Sequence, residues 1–109
     1  MIPIFFFKIG REFHKILISD ILYFTSNGRK VRLVAQNEKF EFYGSLENIY
    51  SELKGSKFLF VHKSFIVNYR YIKEYEYEQV IMVDSTVLPI SQSRRKAIRS
   101  MFIELEGDI

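Results

Sequence analysis

From Phe5 to Ile90 the apolar residues fall in short runs, and polar turn chemistry separates almost every run from the next. Most runs are too short for a helix, and several alternate apolar with polar residues, which is the period of a half-buried strand. Phe5 to Ile9 and Phe13 to Ile18 read as strands around Gly10-Arg11. Ser19-Asp20 turns into the apolar run Ile21 to Phe24. Asn27-Gly28 is a strong turn signal, because both residues tolerate positive φ. After it Val31, Leu33 and Ala35 interleave with Lys30, Arg32 and Val34, and Phe40 and Phe42 with Lys39, Glu41 and Tyr43. Further extended runs are Phe58 to Val61, Phe65 to Asn68, the hairpin Tyr71 to Tyr77 with Gln79 to Val83, and Thr86 to Ile90. Pro89 marks an edge or a strand end.

Two stretches break this rhythm. Leu46, Ile49, Tyr50 and Leu53 recur at helical spacing, Ser45 is placed to cap, Glu47 suits the positive end of the dipole, and Gly55 closes the segment. Ser91 to Leu105 reads as a second helix, with Ser91 and Ser93 as alternative caps and an apolar stripe of Ala97, Ile98, Met101, Phe102 and Leu105. The expected architecture is mainly β: an elongated set of packed sheets of about ten short strands, one short internal helix and a C-terminal helical segment. With 109 residues and no linker or repeat, a single domain 1–109 is the expectation.

Composition narrows the function classes. Eleven Phe and seven Tyr supply bulk for a β core, and the absence of Cys removes disulfides and thiolate metal sites. No stretch is long and apolar enough to span a bilayer. The opening Met1-Ile-Pro-Ile-Phe-Phe-Phe lacks a basic start and a cleavage site, so no signal peptide is expected, and a cytoplasmic location fits. No phosphate loop, zinc-protease motif or nucleophile elbow is present; His14 and His62 stand far apart; so neither an enzyme, a metal nor a cofactor is expected. The net charge of +3 matters less than its distribution. Arg29, Lys30 and Arg32 form one cationic group, and Arg94, Arg95, Lys96 and Arg99 another, while Glu74, Glu76 and Glu78 alternate along an expected strand. That pattern implies one basic and one acidic face, and the carboxylates are better read as a solvated face than as paired catalytic acids. A module binding peptides by strand addition is the competing non-enzymatic reading.

Five fragments in order carry a resemblance: Asp20-Ile-Leu-Tyr-Phe; Gly28-Arg-Lys-Val-Arg-Leu; Tyr43-Gly-Ser-Leu; Phe60-Val-His-Lys-Ser-Phe-Ile-Val-Asn with Tyr71-Ile close behind; and Leu88-Pro-Ile-Ser-Gln-Ser-Arg-Arg-Lys. Spread from about Phe5 to Phe102, they make the chain resemble the LytTR family of DNA-binding domains. The resemblance implies the output module of a bacterial two-component response regulator. It implies specific binding of double-stranded DNA through loops in the major groove, usually at paired direct repeats that two copies of the domain share. A receiver domain or sensor-kinase pathway lies upstream in such systems.

The implied DNA-binding residues fall in three segments. The first holds Asn27, Arg29, Lys30 and Arg32, where the position that reads a base in some relatives is Val31 here, leaving Arg29 or Lys30 to substitute. The second holds His62 and Lys63, with Lys63 at the family's contact position. His62 is either a phosphate donor or a half-buried histidine with a backbone partner, and Ser64 and Asn68 are expected to satisfy local backbone groups. The third holds Gln92, Ser93, Arg94 and Arg95, with the base-reading position nearest Ser93. Lys and Arg suit phosphates and guanine, and Asn and Gln suit adenine. Without the resemblance the first segment would read as an ordinary hairpin with solvated charges; Lys96 and Arg99 read as a solvated helix face.

Overall fold

A computed structural model describes residues 3–107; the outermost two residues at each end of the expected domain lie outside the described residues. β1 (Ile4–Ile9) and β2 (Glu12–Leu17) form a two-stranded hairpin. β3 (Ile21–Asn27), β4 (Lys30–Ala35) and β5 (Lys39–Tyr43) follow, then α1 (Leu46–Glu52), β6 (Phe58–His62) and β7 (Phe65–Asn68). Last come β8 (Ile72–Glu76), β9 (Gln79–Met82), β10 (Val87–Pro89) and α2 (Arg95–Gly107). The central sheet has five strands in the order β5-β4-β3-β7-β6, and a third sheet has the order β10-β9-β8. Every neighbouring pair is antiparallel. The described chain measures 40 × 33 × 25 Å, a modestly elongated body.

The central sheet is covered on both faces, and this explains the apolar run at the start of β3. One face buries Phe24, Val31, Leu33, Ala35, Phe42 and Ile66 against Phe5, Phe7 and Ile16 of the hairpin and Leu46 and Ile49 of α1. The other buries Tyr23, Val34, Leu59, Val61 and Val67 against Val80, Met82 and Leu88 of the third sheet and Ile98 of α2. Ile21, Leu22, Tyr23 and Phe24 are therefore all buried, helped by a bulge between Ile21 and Tyr23 that breaks simple alternation. Strands covered on both sides need apolar residues at every position. The sheet continues three residues past Phe24, to Asn27.

α1 forms as its spacing predicts. Ser45 Oγ accepts the Asn48 N–H at 3.4 Å, and Leu46, Ile49 and Leu53 are buried. The second helix differs from expectation. Gln92–Arg94 is a 3₁₀ turn, and the α-helix starts at Arg95. Ser91 does not cap with its side chain; its hydroxyl faces the Val61 carbonyl instead, at 3.5 Å. Ala97 is exposed, so the buried stripe narrows to Ile98 with Met101, Phe102 and Leu105 partly covered. Glu74 and Glu76 lie exposed on β8, whereas Glu78 belongs to the β8–β9 turn, because the strand ends at Glu76.

Candidate nucleic-acid interface

Strand order and direction bring the three expected segments to one end of the central sheet. β3 ends and β4 begins there; because β3 runs antiparallel to β7, β7 also begins there and β6 ends there. Two backbone hydrogen bonds join the segments. Ser26 N–H donates to the Ser64 carbonyl at 3.0 Å, tying the end of β3 to the β6–β7 turn. Ser91 N–H donates to the Val61 carbonyl at 2.9 Å, laying the Gln92–Arg94 turn along the open edge of β6. Three strand spacings separate β4 from β6, roughly 14 Å at about 4.8 Å each, so the rim is slightly wider than a major groove of about 12 Å.

Within the first segment Asn27 pairs with Lys30, so the loop proper is Gly28-Arg29. Of these two, only Gly28 has positive φ, at 65°, the arrangement in which glycine leads a two-residue hairpin loop. Asn27, Arg29, Lys30 and Arg32 are exposed. Val31 is wholly buried in the core and faces away from them. No base can reach that position here. Lys30 Nζ sits 5.6 Å from the ring centre of Tyr43, its register partner on β5, and Arg32 Nε is 3.7 Å from Glu41 Oε2, its own partner. Thr25, Asn27, Lys30, Arg32 and Glu41 line a depression of about 330 Å³ on this strand face.

In the second segment Lys63 stands exposed at the tip of the β6–β7 turn. His62 is half-buried; its Nδ1 accepts the Ser64 N–H at 3.0 Å and its ring packs 4.8 Å from that of Phe65. Of the two readings left open for His62, the backbone-partner geometry is realised, and the other ring nitrogen stays available as a donor. Burial first, then the charges of Lys63 and Arg94, hold its pKa below the usual 6.5. A neutral imidazole with Nδ1 accepting is the consequence at neutral pH. Asn68 is buried and satisfied as expected: its Nδ2 donates to the Ile21 carbonyl at 2.8 Å, and its Oδ1 accepts the Arg70 N–H at 3.0 Å.

In the third segment Gln92 and Ser93 are exposed, but Arg94 and Arg95 are half-buried. Arg94 donates from Nη1 to the Phe60 carbonyl at 3.1 Å and lies 4.5 Å over the Phe60 ring. Arg95 donates from Nε to the Ile90 carbonyl at 3.2 Å. Both have spare N–H groups, yet part of each guanidinium is spent on holding the segment, Arg94 against β6 and Arg95 against the Ile90 carbonyl. The sequence reading missed Thr25, Glu41 and Tyr43, the last 74% exposed. Only the β4–β5 register puts Glu41 and Tyr43 beside the cations, and alternation alone does not fix a register. Among the described residues no group of three or more His, Asp or Glu side chains is placed to hold a metal ion, and no helix is long and apolar enough to cross a membrane.

The family model for the LytTr DNA-binding domain matches residues 11–103, so the match takes in all three segments. The chain belongs to the LytTR family of DNA-binding domains. Among curated proteins it is similar to the transcriptional regulatory protein NatR of Bacillus subtilis (strain 168), 34% identical over 68 residues that cover 62% of this chain. The matched stretch spans 29% of that regulator's length. Among solved structures it is similar to the LytTr DNA-binding domain of a methyl-accepting/DNA response regulator from Bacillus cereus, with a TM-score of 0.76 and 22% identity. That superposition covers 90% of this chain and 94% of the other, a likeness of fold. The LytTR domain is thus a mainly β DNA-binding domain of transcription regulation, with ten strands in three sheets among the described residues.

Proposed function

We propose that this LytTR domain reads double-stranded DNA sequence-specifically by placing loops of the rim at the end of its central sheet in the major groove, as the output module of a cytoplasmic two-component response regulator. One observation carries the reading. Three segments, each about thirty residues from the next in sequence, at Asn27–Arg32, His62–Lys63 and Gln92–Arg95, converge on one end of the central sheet and are joined by hydrogen bonds. Lys63, exposed at the tip of its turn, takes the base-reading role, donating to guanine O6/N7. Arg29 or Lys30 reads from the hairpin in place of the buried Val31, and Gln92 or Ser93 from the third segment. Arg94 and Arg95, already tied to carbonyls, meet phosphates with what remains of their donors, and His62 offers its free N–H to another. A second copy occupies an adjacent direct repeat, and a receiver domain or sensor-kinase pathway supplies the input.

The test is selection of bound sequences from a random duplex pool at fixed salt, followed by titration of the recovered site. Lys63→Ala weakens binding to that site by about 1–3 kcal/mol and relaxes the preference at one base pair. An unchanged preference would reassign Lys63 to a phosphate. Binding that ignores salt and sequence alike would remove the DNA reading and favour strand addition to a peptide.

A further inference from the structure

The depression beside the β3–β4 turn has a donor set that a turn-only view of the rim leaves unexplained. The register puts Thr25 opposite Arg32 and Asn27 opposite Lys30, so a hydroxyl, an amide, an ammonium and a guanidinium share one face. Cross-strand partners of this kind stand about 5 Å apart, close enough for all four to reach one small anion. Charged and neutral donors in such a group suit phosphate oxygens, which take Lys, Arg, Thr and Asn contacts alike. The position suits the backbone better than a base: the loop Gly28-Arg29 projects beyond it, so a base edge meets the loop first and the strand face behind it meets the flanking phosphate.

Glu41 is the one acid in this wall. It faces Arg32 at 3.7 Å, longer than a charge-assisted hydrogen bond of about 2.8 Å, and both side chains are more than half exposed. Exposed pairs of that kind are weak and readily exchanged. We propose that Thr25, Asn27, Lys30 and Arg32 form a seat for one backbone phosphate of the duplex, and that Glu41 is an internal competitor holding Arg32 until that phosphate displaces it. The seat rests on the duplex reading above and adds to it Thr25 and Glu41 and the direction in which Glu41 acts. An acid on a DNA-binding rim lowers affinity for every duplex, and it penalises most those complexes in which other contacts do not hold the phosphate in place.

The experiment compares wild type, Glu41→Gln, Arg32→Gln, the double variant and Thr25→Val on one selected duplex across a salt series. Glu41→Gln tightens binding on the order of three- to tenfold at about 0.15 M salt with little change in the slope of log K against log salt, because the same phosphates are neutralised and only the competition for Arg32 is removed. That gain shrinks in the Arg32→Gln background. Thr25→Val weakens binding a few-fold with no change of slope, because a hydroxyl releases no counterion. Replacing the duplex phosphates one at a time by neutral methylphosphonates finds one position that costs wild type affinity and costs Arg32→Gln less. Melting temperature verifies that each variant is folded. If the variants bind duplex with the usual salt dependence yet Glu41→Gln leaves affinity alone, or weakens binding, the seat is wrong and the duplex reading stands. If wild type binds no duplex, both fall together.

Discussion

His62 and Asn68 sit in the same fragment, Phe60-Val-His-Lys-Ser-Phe-Ile-Val-Asn, and do opposite things. Asn68 is buried at the end of β7 and ties that strand to the start of β3. Asn68→Ala strips the Ile21 carbonyl and the Arg70 N–H of partners in a buried place, at a cost of about 2–3 kcal/mol. Urea denaturation measures that loss, and the remaining folded protein keeps its DNA preference; altered preference would put Asn68 in the interface. His62 has its pKa lowered in the folded chain, so the unfolded chain takes up a proton at a higher pH than the folded one. Its contribution to stability is therefore complete above 6.5 and is lost as pH falls below that value. A phosphate beside its free N–H favours the imidazolium, so duplex binding draws in a proton and tightens as pH drops from about 7.5 to 5.5. His62→Gln flattens that rise. Parallel pH profiles for wild type and His62→Gln would show that the ring meets no phosphate.

At the scale of elements, most strands were legible because each is bounded by turn chemistry, and α1 because four apolar residues repeat at helical spacing. What the pattern hid is local irregularity. Bulges between Ile21 and Tyr23, Phe60 and His62, and Ile72 and Glu74 shift the register, and each leaves the period-two signal intact on either side of it. The late start of α2 was hidden for another reason. Ser91 looks like a cap from its neighbours in sequence, but its partner, the Val61 carbonyl, belongs to a strand thirty residues away. A second long-range contact, to the Phe60 carbonyl, hid the tie on Arg94, while Arg95 reaches back only five residues, to the Ile90 carbonyl. α2 is held to the sheets through Ile98, 3% exposed in one cluster with Leu59, Val61, Leu88 and Ile90, and through Phe102, whose ring stacks 4.3 Å from that of Tyr75. Ile98→Ala leaves a cavity there and lowers stability by about 2–4 kcal/mol. In urea the midpoint falls while the slope holds, as for a loss of stability without a change of compactness. A much smaller loss would mean that α2 repacks over the gap.

For the whole molecule the deciding quantity is where charge lies, since the net charge is only +3. Six cations crowd one end of the central sheet: Arg29, Lys30, Arg32, Lys63, Arg94 and Arg95. Glu74 and Glu76 occupy the exposed side of β8, in a different sheet. A uniformly mixed surface of this composition would bind duplex feebly and with little response to salt. A rim that neutralises phosphates releases their counterions, about 0.9 for each contact. Lys30 and Arg32 share one phosphate once Arg32 leaves Glu41, Arg29 and Lys63 turn to bases, and Arg94 and Arg95 act with reduced donor capacity. The slope of log K against log salt on the selected duplex is therefore expected between roughly −2 and −3, the lower figure for the shared seat with one of Arg94 and Arg95 on a phosphate and the higher for both. Removing Lys30 and Arg32 together should flatten it by about one contact, and neutralising Glu74 and Glu76 together should leave it unchanged. Fluorescence anisotropy from about 0.05 to 0.3 M monovalent salt covers the range in which such slopes separate. A slope flatter than about −2 would mean that the cations gathered by the sheet do not track a duplex backbone together, whatever each does alone.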